Sequence, residues 1–228
     1  MHPTTSIVNG LVGEFLFEGN AGDSSGNGNH GTVVGASLVT DRFGNANSAY
    51  SFNGMGNYIY FSGTPFAFSL DMTLSFWINP AQVPADWTCI IDKTHSAITE
   101  HYTGGYHFLY YKFGYYYYSF VTPSNSLGTQ EGPYITFPLN TWTHVAVTKG
   151  KTIKYYVNGA MMIERSFDGN SGAMKTDSLP LMLGGCNYGG TSPPSGVSMY
   201  FKGKLDDVLV YNRKLSTAEI LTLYHTGQ

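Results

Sequence analysis

The chain has 228 residues, and only 12% of them are charged, about half the fraction of an average soluble domain. Glycine (28 residues) and aromatic side chains (15%) are abundant instead. The net charge of −3 comes from interspersed acids and bases, which leaves no basic stripe for nucleic acid or anionic lipid. No apolar run approaches the roughly 18 residues of a membrane span. We therefore expect no nucleic-acid partner and no membrane insertion.

Short runs of β-branched and aromatic residues, interrupted by Gly, Asn, Asp and Pro, recur along the whole chain and predict an all-β fold. In chain order the predicted strands are Val12–Phe17, Ala49–Phe52, Tyr58–Phe61, Met72–Ile78, Trp87–Asp92, Tyr106–Phe113, Tyr115–Val121, Thr143–Lys149, Ile153–Val157, Met161–Ser166, Leu181–Gly184 and Tyr200–Tyr211. This number of strands suits two packed antiparallel sheets in one domain. We predict a single domain over residues 1–228, with residues 1–8 as a linker tail.

Two short motifs predict particular local structures. Asn158-Gly159 lies between two predicted strands and indicates a tight hairpin, because both residue types tolerate positive φ. Near the C-terminus, Ser216 precedes Glu219 by three positions, which is the pattern of a capping box, and apolar residues follow. We predict one short C-terminal helix on the two-sheet antiparallel sandwich.

The two cysteines, Cys89 and Cys186, fit no CxxC metal or redox spacing. Two separate buried thiols are the simpler interpretation. A disulfide stays open, because strands of a sandwich bring distant parts of a chain together.

Aromatic residues crowd the neighbouring predicted strands Tyr106–Phe113 and Tyr115–Val121, on both faces of each. A sandwich strand buries one face, so some of these rings should form an exposed platform. Sugar rings stack on aromatic side chains, and a Tyr hydroxyl adds a hydrogen bond. A Tyr-rich surface covered by a partner domain is the alternative. The predicted glycan contacts are Trp87, Tyr111, Tyr116, Tyr118 and Tyr188.

Oxygen donors are concentrated between glycines in the segment from Glu18 to Gly31. Ca²⁺ takes roughly six to eight oxygen ligands, and glycines let a chain curl so that such groups converge. An Asx-rich turn whose side chains bond to its own backbone fits the same residues. Both interpretations stay open from these residues alone.

Several motifs follow one another along the chain: LVGEFLFEGN, DSSGNGNHG, AYSFNG, TLSFWI, WTHVAV, YVNG, GKLDDV and YNRKLS. As an ordered set they resemble the LamG-like jelly-roll domains of the concanavalin A-like lectin/glucanase superfamily, which are related to laminin G and pentraxin domains. The resemblance implies a jelly-roll sandwich that recognises glycans or proteins, as a module of a larger secreted or cell-surface protein.

The same resemblance implies a structural Ca²⁺ between the first loop and the acidic motif near the C-terminus. Carried over by position, Asp23 and Asp206 supply side chains, and Asn20 and His30 supply carbonyl or amide oxygens. Such an ion would tie the first loop to the last strand.

Catalysis is not favoured by the carboxylates. Glu14 and Glu18 share one strand face, but four steps of about 3.3 Å separate their Cα atoms by about 13 Å. Glycosidase carboxylates lie about 5 to 9.5 Å apart. We predict a non-catalytic carbohydrate-binding module whose partners are a polysaccharide or glycan and other domains of a parent protein. A protein-interaction or adhesin module is the first alternative, and a cryptic polysaccharide hydrolase or lyase is the second.

Overall fold

A computed structural model describes residues 6–94, 104–112, 115–121, 127–131, 137–166 and 173–226. These residues form seventeen strands, a 3-10 helix (Thr64–Phe66) and one α-helix, α1 (Thr217–Thr226). The strands are β1 (Leu11–Phe15), β2 (Gly31–Val34), β3 (Ser37–Val39), β4 (Ala49–Asn53), β5 (Tyr58–Phe61), β6 (Met72–Pro80), β7 (Thr88–Asp92), β8 (Tyr106–Tyr111), β9 (Tyr115–Val121), β10 (Leu127–Glu131), β11 (Thr143–Lys149), β12 (Thr152–Val157), β13 (Ala160–Ser166), β14 (Leu181–Leu183), β15 (Cys186–Asn187), β16 (Val197–Ser198) and β17 (Lys202–Tyr211).

Most strands belong to two antiparallel sheets. Sheet A has the order β13-β12-β11-β6-β17-β4-β3, and β1 also pairs with β17. Sheet B has the order β10-β9-β8-β7-β14-β5-β2, and β15 and β16 form a separate two-stranded ribbon. The predicted two-sheet jelly-roll sandwich with one C-terminal helix is confirmed.

An aromatic-rich core fills the space between the two sheets. Phe15 of sheet A meets Phe61 of sheet B with ring centroids 4.1 Å apart. Phe76 of sheet A meets Phe108 of sheet B at 5.4 Å, edge to face. All four rings are buried. Large planar side chains therefore fill the layer between the sheets and hold them together.

Helix α1 packs on the outer face of sheet A. Its Ile220 and Leu223 are buried in a second apolar cluster with Tyr156 and Tyr211. The predicted capping box is present: Ser216 Oγ accepts the Glu219 backbone N–H at 3.3 Å, and the Glu219 carboxylate accepts the Ser216 N–H at 2.8 Å. The helix covers part of this face.

All twelve predicted strands are present, with bounds that shift by a few residues. The predicted hairpin is confirmed, because Asn158 (φ 48°) and Gly159 (φ 75°) connect β12 to β13. Five strands were not predicted, because they are short or polar and lack a clear strand pattern of their own. They form by pairing with neighbouring strands, and they are β2, β3, β10, β15 and β16.

The two cysteines form a disulfide, with Cα atoms 5.6 Å apart, so the interpretation as separate thiols is wrong. The strand order explains the pairing. β14 lies beside β7, which carries Cys89, and leads within three residues to Cys186. None of the helices in the described ranges is long and apolar enough to cross a membrane.

Candidate ligand-binding site

Two of the predicted glycan contacts, Tyr116 and Tyr118, lie in the core, with 2% and 0% of their surface exposed. Tyr116 stacks on Tyr110 at 4.3 Å, and the Tyr118 hydroxyl donates to Met72 Sδ at 3.1 Å. Burial raises the pKa of both phenols well above the usual value. The prediction that these rings face a ligand is wrong, since the even-numbered residues of β9 point towards sheet A.

Tyr111 is at the end of β8, where its backbone pairs with that of Tyr115. Its side chain lies outside the described residues, so its predicted ligand contact stays a prediction.

The outer face of sheet B carries three partly buried aromatic rings, those of Trp87, Tyr117 and Tyr188, which we call the aromatic cluster. They pack against an apolar base formed by Leu109 and the Cys89–Cys186 disulfide. Trp87 and Tyr117 meet edge to face with ring centroids 4.9 Å apart. The structure thus brings together two predicted contacts, Trp87 and Tyr188, with a residue that sequence reasoning missed.

Strand alternation explains why Tyr117 is on this surface. Phe108 and Tyr110 of β8 are part of the core, so Leu109 between them faces outward. Leu109 is the register partner of Tyr117 on β9, and partners in an antiparallel pair share a face. The alternation was visible in the sequence, but it does not say which set of rings faces outward.

Two further tyrosines lie on the outer face of sheet B. Tyr58 and Tyr60 alternate with the buried Ile59 and Phe61 along β5, and are themselves partly exposed, with ring centroids 6.4 Å apart. Sequence reasoning missed them as well, although the alternation Tyr-Ile-Tyr-Phe is a signal for one outward aromatic face. This face is therefore aromatic beyond the aromatic cluster.

A buried carboxyl group holds the segment that carries Tyr188. The Asp92 carboxylate accepts the backbone N–H of Asn187 at 3.0 Å and the Thr94 hydroxyl at 2.7 Å. Its burial raises the pKa of Asp92 to about 7, although both hydrogen bonds lower it. His107, the register partner of Asp92, is also buried, and burial lowers its pKa to about 4. Asp92 thus fixes the backbone of Asn187, the residue that precedes Tyr188 in the chain.

In the first loop, the predicted calcium ligands bond to the protein backbone. Asp23 Oδ1 accepts the N–H of Glu14 at 3.0 Å, and Asp23 Oδ2 accepts that of Asn29 at 2.9 Å. Burial raises the pKa of Asp23, but these bonds and those from Ser25 together bring it below the usual value. Asn20 Oδ1 accepts the Gly22 N–H at 2.6 Å. This is the arrangement of an Asx-rich turn.

The remaining two predicted ligands also have partners within the protein. His30 Nδ1 accepts the N–H of Asp23 at 3.1 Å, and Asp206 pairs with Arg42. Within the described ranges, no group of three His, Cys, Asp or Glu side chains that includes any of these residues brings its ligand atoms within 4.8 Å of one another. As placed, Asp206 is paired with a cation of the chain, and Asp23 with backbone N–H groups. Calcium binding stays a prediction.

A family model described as the concanavalin A-like lectin/glucanases superfamily matches residues 53–221. The chain belongs to this superfamily. No curated protein matches this concanavalin A-like domain in sequence. Its fold is similar to that of several solved binding domains, each about twice as long as this chain.

One of these structures is the receptor binding domain of botulinum neurotoxin C/D mosaic serotype (TM-score 0.74, 15% identity, 96% of this chain and 52% of that chain). Another is the binding domain of Paraclostridial Mosquitocidal Protein 1 (TM-score 0.72, 18% identity, 95% and 52%). A third is the botulinum neurotoxin serotype D ligand binding domain in complex with N-acetylneuraminic acid (TM-score 0.73, 17% identity, 96% and 52%). Because these sequence identities are low, the similarity shows only that this chain has the same fold as those domains.

Proposed function

We propose that this domain is a non-catalytic carbohydrate-binding module whose glycan contacts lie at the aromatic cluster. The observation that carries the proposal is the set of partly exposed rings of Trp87, Tyr117 and Tyr188, held on one apolar base on the outer face of sheet B. Aromatic faces stack on the C–H faces of sugars, and phenol hydroxyls supply hydrogen bonds.

The surroundings of the aromatic cluster support this proposal. The disulfide and Leu109 form its base, so the rings need little ordering when a ligand binds. The chain as a whole carries few charges, which suits a neutral glycan face. One solved neighbour of the same fold was crystallised with N-acetylneuraminic acid, which supports a sugar ligand for this domain by analogy.

We propose a secreted or cell-surface location within a larger protein. The Cys89–Cys186 disulfide supports it, because disulfides persist in oxidising compartments. The chain also spans about half the length of the solved binding domains that it matches, so further domains are proposed as its partners.

A protein-interaction or adhesin module is the second candidate. One solved neighbour of the same fold is a receptor binding domain, and partly exposed aromatic rings on a sheet face also suit a protein surface. In this case the aromatic cluster would contact a protein chain, and no isolated glycan would bind.

A glycan array followed by calorimetry tests the proposal. We expect Trp87→Ala and Tyr117→Ala to weaken binding of the best glycan about ten-fold or more. Trp142→Ala is the matched control, since Trp142 is also half-buried but precedes β11 in sheet A. Thermal melting of each variant separates loss of contact from loss of fold.

Three results would contradict the proposal. Absence of binding to every glycan, with binding to a receptor protein, would favour the interaction module. Equal affinity of the wild type and both variants would move the site away from the aromatic cluster. Release of reducing sugar from a bound polysaccharide would show that the module is catalytic.

A further inference from the structure

The segment between β3 and β4 carries Arg42, whose guanidinium contacts the last strand, β17. Asp41 shapes this turn: its Oδ1 accepts the backbone N–H groups of Phe43 and Asn45, both at 2.8 Å. Its Oδ2 accepts the Asn45 side-chain amide at 2.9 Å. Arg42 follows Asp41 directly, so the turn fixes the backbone from which the guanidinium extends.

Two adjacent carboxylates of β17 meet this guanidinium. Arg42 Nη1 lies 2.5 Å from Asp206 Oδ2, and Arg42 Nη2 lies 2.5 Å from Asp207 Oδ2. In a regular strand, neighbouring side chains point to opposite faces. Here the register of β17 against β6 shifts after Asp206, and Asp207 adopts φ 42°. The irregularity turns both carboxylates towards one cation.

The group is almost completely shielded from solvent. Only 5% of the Arg42 side chain, none of Asp206 and 11% of Asp207 are exposed. The guanidinium also lies 4.5 Å from the ring centre of Trp77 and 4.4 Å from that of Phe43. Charge-assisted hydrogen bonds and cation–π contacts together compensate the free-energy cost of removing the guanidinium from water.

This arrangement occupies the carboxylate that the family resemblance assigns to Ca²⁺. Asp206 Oδ2 accepts from Arg42, and Asp206 Oδ1 accepts the backbone N–H of Asp207 at 2.9 Å. A divalent ion at Asp206 would have to displace a buried guanidinium. Arg42 ties the segment between β3 and β4 to the last strand without an ion.

We infer that Arg42 is a built-in cation that replaces the structural Ca²⁺, and that folding of this domain is independent of calcium. The inference stands apart from the proposed glycan site. It concerns residues on sheet A, and a failed glycan array would leave it untouched.

Melting of the purified chain with and without metal tests the inference. We expect a metal analysis to find no stoichiometric Ca²⁺ and the melting temperature to agree within about 1 °C in excess EDTA and in excess CaCl₂. We expect Arg42→Met to lower the melting temperature by about 10 °C, because it leaves two buried carboxylates without their cation. Lys154→Met removes a solvent-exposed ion pair with Glu164 and is the control, with a shift below about 2 °C.

A milder variant keeps the test decisive if Arg42→Met does not fold. Arg42→Lys keeps the charge but cannot bind both carboxylates through a planar fork, so its melting temperature should fall by several degrees and stay insensitive to EDTA. One bound Ca²⁺ per chain in the wild type, together with a lower melting temperature in EDTA, would overturn the inference. So would an Arg42→Met variant as stable as the Lys154→Met control.

Discussion

Cys89 and Cys186 are 97 positions apart in the chain, and the apolar cluster that their disulfide forms with Leu109 packs against Trp87, Tyr117 and Tyr188. The covalent link therefore belongs to the base of the aromatic cluster. It closes a long loop of chain and holds β7 against the segment that carries Tyr188. The disulfide therefore contributes both to the stability of the fold and to the order of the proposed ligand site.

Replacing both cysteines by serine should destabilise the domain by roughly 4 kcal/mol, because the unfolded chain regains the entropy of a long loop. Urea denaturation of the wild type and of the Cys89→Ser/Cys186→Ser variant measures the difference. The wild type in a thiol reductant is the control and should approach the variant. Identical midpoints for all three samples would contradict the contribution of the disulfide.

Tyr116 and Tyr117 are neighbours in the chain that should respond differently to truncation. Tyr116 is buried between the sheets, so Tyr116→Ala should cost about 3 to 5 kcal/mol of unfolding free energy. Tyr117 is half-buried on the outer face, so Tyr117→Ala should cost much less stability while weakening glycan binding. Denaturation and calorimetry on both variants measure the two effects, and similar stability losses would contradict the assigned faces.

Gly159 should not tolerate alanine. Its φ is 75°, and an added Cβ would lie 2.9 Å from Leu221 Cδ1 and 3.0 Å from a Tyr224 ring carbon of α1. Gly159→Ala should therefore cost about 2 kcal/mol or more. Gly56 has a similar φ of 74° with nothing within 4 Å, so Gly56→Ala isolates the backbone cost of about 1 kcal/mol. Equal costs in denaturation experiments would show that the hairpin does not press on the helix.

His144 should make the domain sensitive to acid. Burial, with the nearby Arg42 charge, lowers the pKa of His144 to about 3, below the value of about 6.5 in an unfolded chain. The unfolded chain then binds a proton that the folded chain does not. The stability from the neutral imidazole is complete above pH 6.5 and is lost as the pH falls towards 3.

The matched variant is His144→Gln, whose amide can keep a hydrogen bond to Ser75 Oγ, which lies 2.9 Å from His144 Nε2. Between pH 7 and pH 4 the wild type should lose about 3 kcal/mol more unfolding free energy than this variant. Asp92 and His107 titrate in both proteins and cancel in the difference. Parallel pH profiles in urea denaturation would contradict the assignment to His144.

Local patterns in the sequence were sufficient for the architecture. Alternating and aromatic runs placed twelve strands, Asn158-Gly159 placed a hairpin, and the Ser216–Glu219 box placed the helix. Each of these signals acts over a few residues, because backbone conformation and capping are set by neighbours in the chain. The ordered motifs then identified the superfamily.

The candidate site needed the tertiary structure. An alternating strand presents two faces, and only the packing of sheet B on sheet A decides that Tyr116 and Tyr118 are buried and that Tyr117 is on the outer face. The disulfide and the contact of Arg42 with Asp206 join residues far apart in the chain. Such contacts depend on which strands become neighbours. The sequence by itself therefore determined twelve of the seventeen strands of the described residues, one hairpin, the helix and the superfamily. Only the packed sheets decided which side chains are available to a ligand and which charges are paired.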